Sequence, residues 1–187
     1  MSAVPTSHTA GKTLEGRIRE AIRDIPDFPK PGIVFKDITP LLATPHLFRA
    51  VTDAMAEPFA TAGATHVVAI ESRGFILGAP VAQRLDAAFV PVRKPGKLPH
   101  RTVSVEYALE YGTDQLHVHQ DACDPTARVV IVDDVLATGG TAAATHALLR
   151  GLGAEVVGFS FLLTLSFLPG ETRLREFGVP VERLVSY

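Results

Sequence analysis

The sequence predicts an α/β fold built on a central, mostly parallel sheet flanked by helices. Three observations predict it. Short apolar runs at residues 66–70, 89–93, 128–132 and 155–165 alternate with stretches of helical periodicity, the pattern of strands joined by crossover helices. The run Arg128-Val129-Val130-Ile131-Val132 is continuous and β-branched rather than alternating, as expected of a strand covered on both sides. Residues 128–165 read strand, helix, strand, a succession long enough for a parallel crossover.

In chain order, residues 1–13 are polar, with no apolar segment behind a basic start. They read as a frayed tail without a secretory signal, ahead of a single domain over 14–187. Leu14, Ile18, Ile22 and Ile25 recur at helical spacing among charged residues and predict an amphipathic helix over 13–25, ended by Pro26. Residues 27–40 hold Pro29, Pro31, Gly32 and Pro40 around Ile33, Val34 and Phe35, predicting a loop or short extended segment whose apolar residues suggest a binding role. Thr44-Pro45 opens a helix with Leu47, Phe48, Val51, Met55 and Phe59 on one face, ending near Gly63. After the strand at 66–70, Arg73-Gly74 turns into a helix over 75–85, which Pro80 is expected to kink or delay. Residues 94–112 lack helical period, whereas 102–107 and 115–119 alternate like a partly exposed hairpin. The strand at 128–132, a helix over 140–152 and the strand at 155–165 follow. The longest nearly apolar run, 156–168, is too short and interrupted to span a bilayer as a helix.

At 187 residues, folding buries roughly 70% of the exposable surface, enough for a core without staples. Cys123 is the single cysteine, so no intrachain disulfide or cysteine-based zinc site is expected, and a reducing compartment is the default. The formal charge of −2 has the wrong sign for a dedicated nucleic-acid binder. That figure hides an uneven distribution, because residues 92–101 carry Arg93, Lys94, Lys97 and Arg101 and no acid on an otherwise acidic chain. A local cationic patch of this kind suits capture of a small polyanion.

The most informative stretch is Val132-Asp133-Asp134-Val135-Leu136-Ala137-Thr138-Gly139-Gly140-Thr141. It puts two acids at the carboxyl end of a buried strand, then a small-residue turn, then a helix, where open α/β sheets bind ligands. The turn can aim successive backbone N–H groups and two hydroxyls at one point, and the helix N-terminus adds partial positive charge. That is a phosphate cradle. It lacks the lysine of the Walker-type loop and so suits a terminal monoester. A carboxylate beside a phosphate needs hydroxyl donors or a metal, and a ribose with free 2′- and 3′-hydroxyls supplies the donors. Adjacent strand residues face opposite ways, so Asp133 and Asp134 are expected to play different roles. A helix cap with a glycine turn is the plainer account, and the adjacent acids argue against it. His117 and His119 share a strand face, but without a third ligand at recognisable spacing they read as an exposed face and not a metal site.

Residues 132–141 resemble the phosphoribosyl pyrophosphate (PRPP) signature of the type I phosphoribosyltransferase family. Three further stretches resemble its adenine-specific members: Phe28-Pro29-Lys30-Pro31-Gly32-Ile33-Val34-Phe35-Lys36-Asp37-Ile38, Glu71-Ser72-Arg73-Gly74-Phe75, and Arg93-Lys94-Pro95-Gly96-Lys97-Leu98-Pro99 leading to Leu109-Glu110-Tyr111-Gly112. The resemblance runs from about residue 14 to the C-terminus. It implies the type I phosphoribosyltransferase fold, with a flexible β-hairpin hood over the active site at about residues 94–112. It implies an enzyme of purine salvage that converts adenine and PRPP to AMP and pyrophosphate. Mg²⁺ would be held through PRPP oxygens and water rather than by the protein directly. A cytoplasmic homodimer without nucleic-acid or membrane partners is implied as well.

The same resemblance assigns residues. Ala137, Thr138, Gly139, Gly140 and Thr141 take the 5′-phosphate, and Asp133 and Asp134 the ribose. Ser72, Arg73, Arg93, Lys94, Lys97 and Tyr111 take the pyrophosphate, while Val34, Phe35, Lys36 and Leu165 take adenine. Glu110 is the catalytic residue, accepting or relaying the N9 proton and stabilising the positive sugar. Many members carry Arg where Lys36 stands and some an acid where Thr164 stands, so base recognition here is expected to run through backbone groups. The signature by itself also admits a transferase for 6-oxopurines, or a PRPP-sensing regulator with an added basic nucleic-acid-binding segment, which the sequence does not show.

Overall fold

The computed structural model describes residues 11–108 and 112–187, and the chain divides into two compact units, one through Ala50 and one from Val51. Glu110 and Tyr111 lie outside the described residues, as do residues 1–10 of the tail expected over 1–13.

The first unit holds α1 (Leu14–Ala21), β1 (Arg23–Pro26), β2 (Val34–Asp37) and α2 (Thr39–Leu42), and leads into α3 (Pro45–Ala60). Thr13 caps α1 by accepting a hydrogen bond from the Gly16 N–H at 3.2 Å, and Ile18 is its buried residue. The helix predicted over 13–25 is too long. It stops at Ala21, and residues 23–26 pair antiparallel with β2, setting Ile25 opposite Phe35. Ile25 precedes Pro26 and is biased away from the helical region, so a strand partner distant in sequence overrides the local apolar spacing. The segment read as loop or extended contains both β2 and the short α2, which carries Pro40 in its first turn.

The second unit holds β3 (His66–Ile70), α4 (Arg73–Leu85), β4 (Ala88–Val92), β5 (Thr102–Ala108), β6 (Thr113–His119), β7 (Arg128–Leu136), α5 (Gly140–Gly151), β8 (Glu155–Thr164), α6 (Gly170–Arg175) and β9 (Val181–Ser186). Five strands form a parallel sheet in the order β4-β3-β7-β8-β9; its parallel character is what the sequence predicts, while the order and the fifth strand come from the structure. Pro80 neither delays nor ends α4, which already begins at Arg73. β7 runs past Val132 to Leu136, so both acids are strand residues, with Asp133 opposite Phe161 of β8. α6 and β9 are additions that no local periodicity announced. β5 and β6 form the expected hairpin. It joins the edge of β4 through two hydrogen bonds, from Arg93 N–H to the His117 carbonyl at 2.9 Å and from His117 N–H to the Arg93 carbonyl at 2.7 Å.

Two packed faces hold the sheet. Val68, Ile70, Val129, Ile131, Phe159 and Phe161 share one buried cluster with Ala144, Leu148 and Leu149 of α5. On the other face α4 seats so closely that a Cβ on Gly78 would lie 2.5 Å from that of Ala69. From β3 the chain crosses through α4 to β4 on one side, and from β7 through α5 to β8 on the other. Right-handed crossovers in opposite directions put the helices on opposite faces and part the loops after β3 and β7, which opens a crevice at the carboxyl ends of these strands. Among the described residues, no helix is long and apolar enough to cross a membrane.

Candidate active site

That crevice contains a cavity of about 370 Å³, within the range of roughly 300–1,000 Å³ typical of small-molecule sites. Its walls are Ile70 to Arg73 from the end of β3, Asp133 to Val135 from β7, and Lys94 with Tyr107 from the side of the hairpin. A smaller hollow of about 80 Å³ adjoins it, lined by residues 137–141. This is room for a few water-sized groups, the scale of one tetrahedral anion.

The turn that forms the hollow is held from behind. Gly139 has φ +75°, a left-handed conformation that glycine adopts without strain, and it stands just before the first residue of α5. Gly170 donates its N–H to the Ala137 carbonyl at 3.1 Å, and a Cβ on Gly170 would lie 2.2 Å from that oxygen. The connection after β8 is therefore in backbone contact with the turn.

The two acids differ in setting. Asp134 is buried, with its Oδ2 atom 2.7 Å from Arg73 Nε but, among the described residues, with no hydrogen bond directed at it. Asp133 is half-buried and accepts a hydrogen bond from the Asp134 N–H at 2.9 Å. A Cβ on Gly74 would lie 2.8 Å from Asp133 Oδ1, so glycine is what lets α4 begin against this carboxylate. Burial raises both carboxyl groups above their ordinary range. For Asp133 the neighbouring Asp134 charge adds to the rise, and for Asp134 the Arg73 charge opposes it. Holding charge here is costly until hydroxyl donors or a cation face the pair.

A cationic side stands opposite. Glu71, at the end of β3, accepts from Arg93 Nε at 2.8 Å and from the Lys94 N–H at 3.0 Å, and so sets the course of the basic loop. Arg93 also donates from Nη1 to the Lys97 carbonyl at 3.0 Å; neither Arg93 nor Lys97 is on the cavity wall. The Lys94 Nζ atom donates to the Tyr107 hydroxyl at 2.9 Å and pairs with Asp114. These hydrogen bonds hold the Lys94 ammonium above the usual lysine value although burial works against it. Of the residues predicted for pyrophosphate, the structure brings Ser72, Arg73 and Lys94 to one cavity with Asp133 and Asp134.

Sequence reasoning missed Glu71, Tyr107 and Asp114 as members of this cluster. Glu71 had a signal, since it opens the stretch Glu71-Ser72-Arg73-Gly74-Phe75. Tyr107 and Asp114 had none, since they meet only because the hairpin register sets them opposite each other.

Val34, Phe35 and Lys36 lie on β2 in the first unit. Val34 is exposed, the Phe35 ring meets Phe28 edge-on at 5.2 Å, and Lys36 Nζ pairs with Asp24 at 2.7 Å. In the second unit Leu165 follows β8 and donates its N–H to the Leu136 carbonyl at 3.0 Å. His117 and His119 are engaged locally, His117 Nδ1 with Thr102 Oγ1 at 3.1 Å and His119 with the His100 ring at 6.0 Å. Among the described residues, no three His, Cys, Asp or Glu side chains gather to hold a metal. A cation such as Mg²⁺ that takes its ligands from phosphate oxygens and water needs no such cluster.

A doubly wound parallel sheet with an acid pair and a small-residue turn at its switch point is the layout of a phosphoribosyltransferase. The family model described as "Phosphoribosyl transferase domain" matches residues 37–165. The adenine phosphoribosyltransferase of Myxococcus xanthus is 58% identical over 170 residues, covering 91% of this chain and 92% of that one. The crystal structure of adenine phosphoribosyltransferase from Rhodothermus marinus superposes with a TM-score of 0.88 at 53% identity, covering 93% of this chain and 98% of that one. The Saccharomyces cerevisiae enzyme, solved with an imino-altritol bisphosphate and adenine, gives a TM-score of 0.85 at 36% identity, covering 91% of this chain and 98% of that one. The chain belongs to the adenine phosphoribosyltransferase family.

Proposed function

We infer that the protein transfers the phosphoribosyl group of PRPP to N9 of adenine, yielding AMP and pyrophosphate, as a step of purine salvage. The observation that carries the reading is the pairing, across adjoining hollows, of an acid pair on β7 and the turn after it with a cationic side at Ser72, Arg73 and Lys94, in a chain of this family. In this reading residues 137–141 hold the 5′-phosphate by backbone N–H groups and hydroxyls. The ribose hydroxyls donate to Asp133 and Asp134, which need such donors. Arg73 and Lys94 face the pyrophosphate, and Arg93, Lys97 and Tyr111 are assigned to it by resemblance.

The bond from C1 of the ribose to the pyrophosphate oxygen breaks, with the electron pair leaving on pyrophosphate toward the cations, and N9 of adenine bonds to C1. The sugar becomes positive as this bond stretches, and the fixed carboxylates stabilise it. Glu110 accepts or relays the N9 proton. Val34, Phe35, Lys36 and Leu165 are assigned to adenine by the same resemblance. Mg²⁺, when bound with PRPP, neutralises charge on the pyrophosphate and makes it a better leaving group. A homodimer in the cytoplasm completes the reading and rests on family likeness.

The test is product analysis with PRPP, Mg²⁺ and a panel of nucleobases. AMP and pyrophosphate should form from adenine, and faster turnover of hypoxanthine or guanine would overturn the assignment. Glu110→Gln should cut turnover with PRPP affinity nearly intact, and an equal loss of both would remove Glu110 from the catalytic role.

A further inference from the structure

Three of the cations assigned to pyrophosphate already have a carboxylate. Arg73 pairs with Asp134 at 2.7 Å, Arg93 with Glu71 at 2.8 Å, and Lys94 with Asp114. Asp134 and Glu71 stand on or at the end of central strands of the sheet. Asp114 comes instead from the hairpin, where the register sets it opposite Tyr107, and the two side chains together hold the Lys94 ammonium. Lys94 and Tyr107 line the cavity, while Asp114 reaches Lys94 without lining it.

We propose that Asp114 is a positioning residue that sets how tightly the site holds pyrophosphate. With Tyr107 it fixes the Lys94 ammonium at the cavity wall, and its negative charge offsets the charge Lys94 offers to the anion. Pyrophosphate must share Lys94 with Asp114, so it binds less tightly and leaves more readily than it would beside an unopposed lysine. The Lys94–Asp114 pair is partly exposed, with side-chain accessibilities of 35% and 29%, so solvent screens it and the effect is moderate and salt-dependent. The proposal rests on the reading of this cavity as the pyrophosphate site.

Asparagine at this position keeps an oxygen acceptor for Lys94 and removes only the charge. The experiment is calorimetric titration of pyrophosphate with Mg²⁺ into the full chain and its Asp114→Asn, Asp114→Glu, Lys94→Met and doubly substituted Asp114→Asn/Lys94→Met variants. Asp114→Asn should tighten pyrophosphate about three- to ten-fold at low salt, with the gain shrinking as salt rises. Asp114→Glu should return the unsubstituted affinity, and the gain should vanish in the Lys94→Met background. In steady state, Asp114→Asn should lower the inhibition constant of pyrophosphate with little change in KM for adenine. Unchanged or weaker binding by Asp114→Asn, or the same gain without Lys94, would overturn the proposal while leaving the site assignment intact. Failure of the unsubstituted protein to bind pyrophosphate would instead overturn the assignment on which it rests. Asp114→Ser serves the same comparison if the asparagine variant does not fold.

Discussion

Gly170→Ala is a one-methyl change outside residues 132–141 that should disable the turn proposed to hold the 5′-phosphate. The added Cβ would stand 2.2 Å from the Ala137 carbonyl oxygen, 2.9 Å from Leu136 Cδ1 and 3.1 Å from the Ala137 carbonyl carbon. Two of these three atoms are backbone, so moving the Leu136 side chain does not relieve the clash, and the chain must open by about 1 Å, at the cost of about 1–3 kcal/mol typical of overpacking. For a chain of this size that is about 3–10 °C in Tm. The displaced residues lead directly into Thr138 and Gly139, and the Gly170 N–H bond to the Ala137 carbonyl at 3.1 Å opens with them. PRPP should therefore lose at least about ten-fold in affinity, given the sensitivity of such sites to shifts on the order of 1 Å. Gly151→Ala is the control, because nothing among the described residues lies within 4 Å of its added Cβ. Thermal melts with titration of PRPP check both effects. A Gly170→Ala protein with the melting temperature and PRPP affinity of the unsubstituted chain would refute the reasoning.

Two further predictions concern pH. Burial and the Asp134 charge raise the Asp133 carboxyl well above its ordinary value. The native state then holds this proton more readily than the unfolded chain, and ligand-free stability falls as pH rises from about 4 toward the raised value. Asp133→Asn should remove that slope and raise the ligand-free Tm at pH 7 while weakening PRPP at least about ten-fold, because an amide accepts sugar hydroxyls less strongly; a lower Tm, or unchanged PRPP affinity, would count against the role given to this acid. His146 stacks on Phe177 at 4.0 Å with planes 15° apart, and burial, aided by the Arg150 charge, lowers its pKa. The unfolded chain therefore binds this proton more readily, so stability is lost as pH falls through about 6.5, and His146→Phe should flatten the Tm profile between about pH 7 and 5. An unaltered profile would show that the imidazole does not carry this dependence.

The chain's local pattern determined the α/β class, the strands β3, β4, β7 and β8 of the sheet, and the small-residue turn after β7. Buried parallel strands must be continuously apolar, and a turn that exposes N–H groups must be built from small residues, so both requirements are written in neighbouring positions. Pairings between distant segments were not legible there. Arg23–Pro26 has helical spacing, yet it is a strand because β2 is there to pair with it. β9 has its place at the sheet edge only because β8 precedes it in space. The site divides the same way. Asp133, Asp134 and residues 137–141 are adjacent in sequence and could be read together. That Glu71 holds Arg93 and Lys94, that Asp114 and Tyr107 meet at Lys94, and that Gly170 supports Ala137 depend on contacts across 13 to 33 residues. Only the packed sheet and the hairpin register decide those contacts, because hydrogen bonds and steric fit act through space, whatever the separation along the chain.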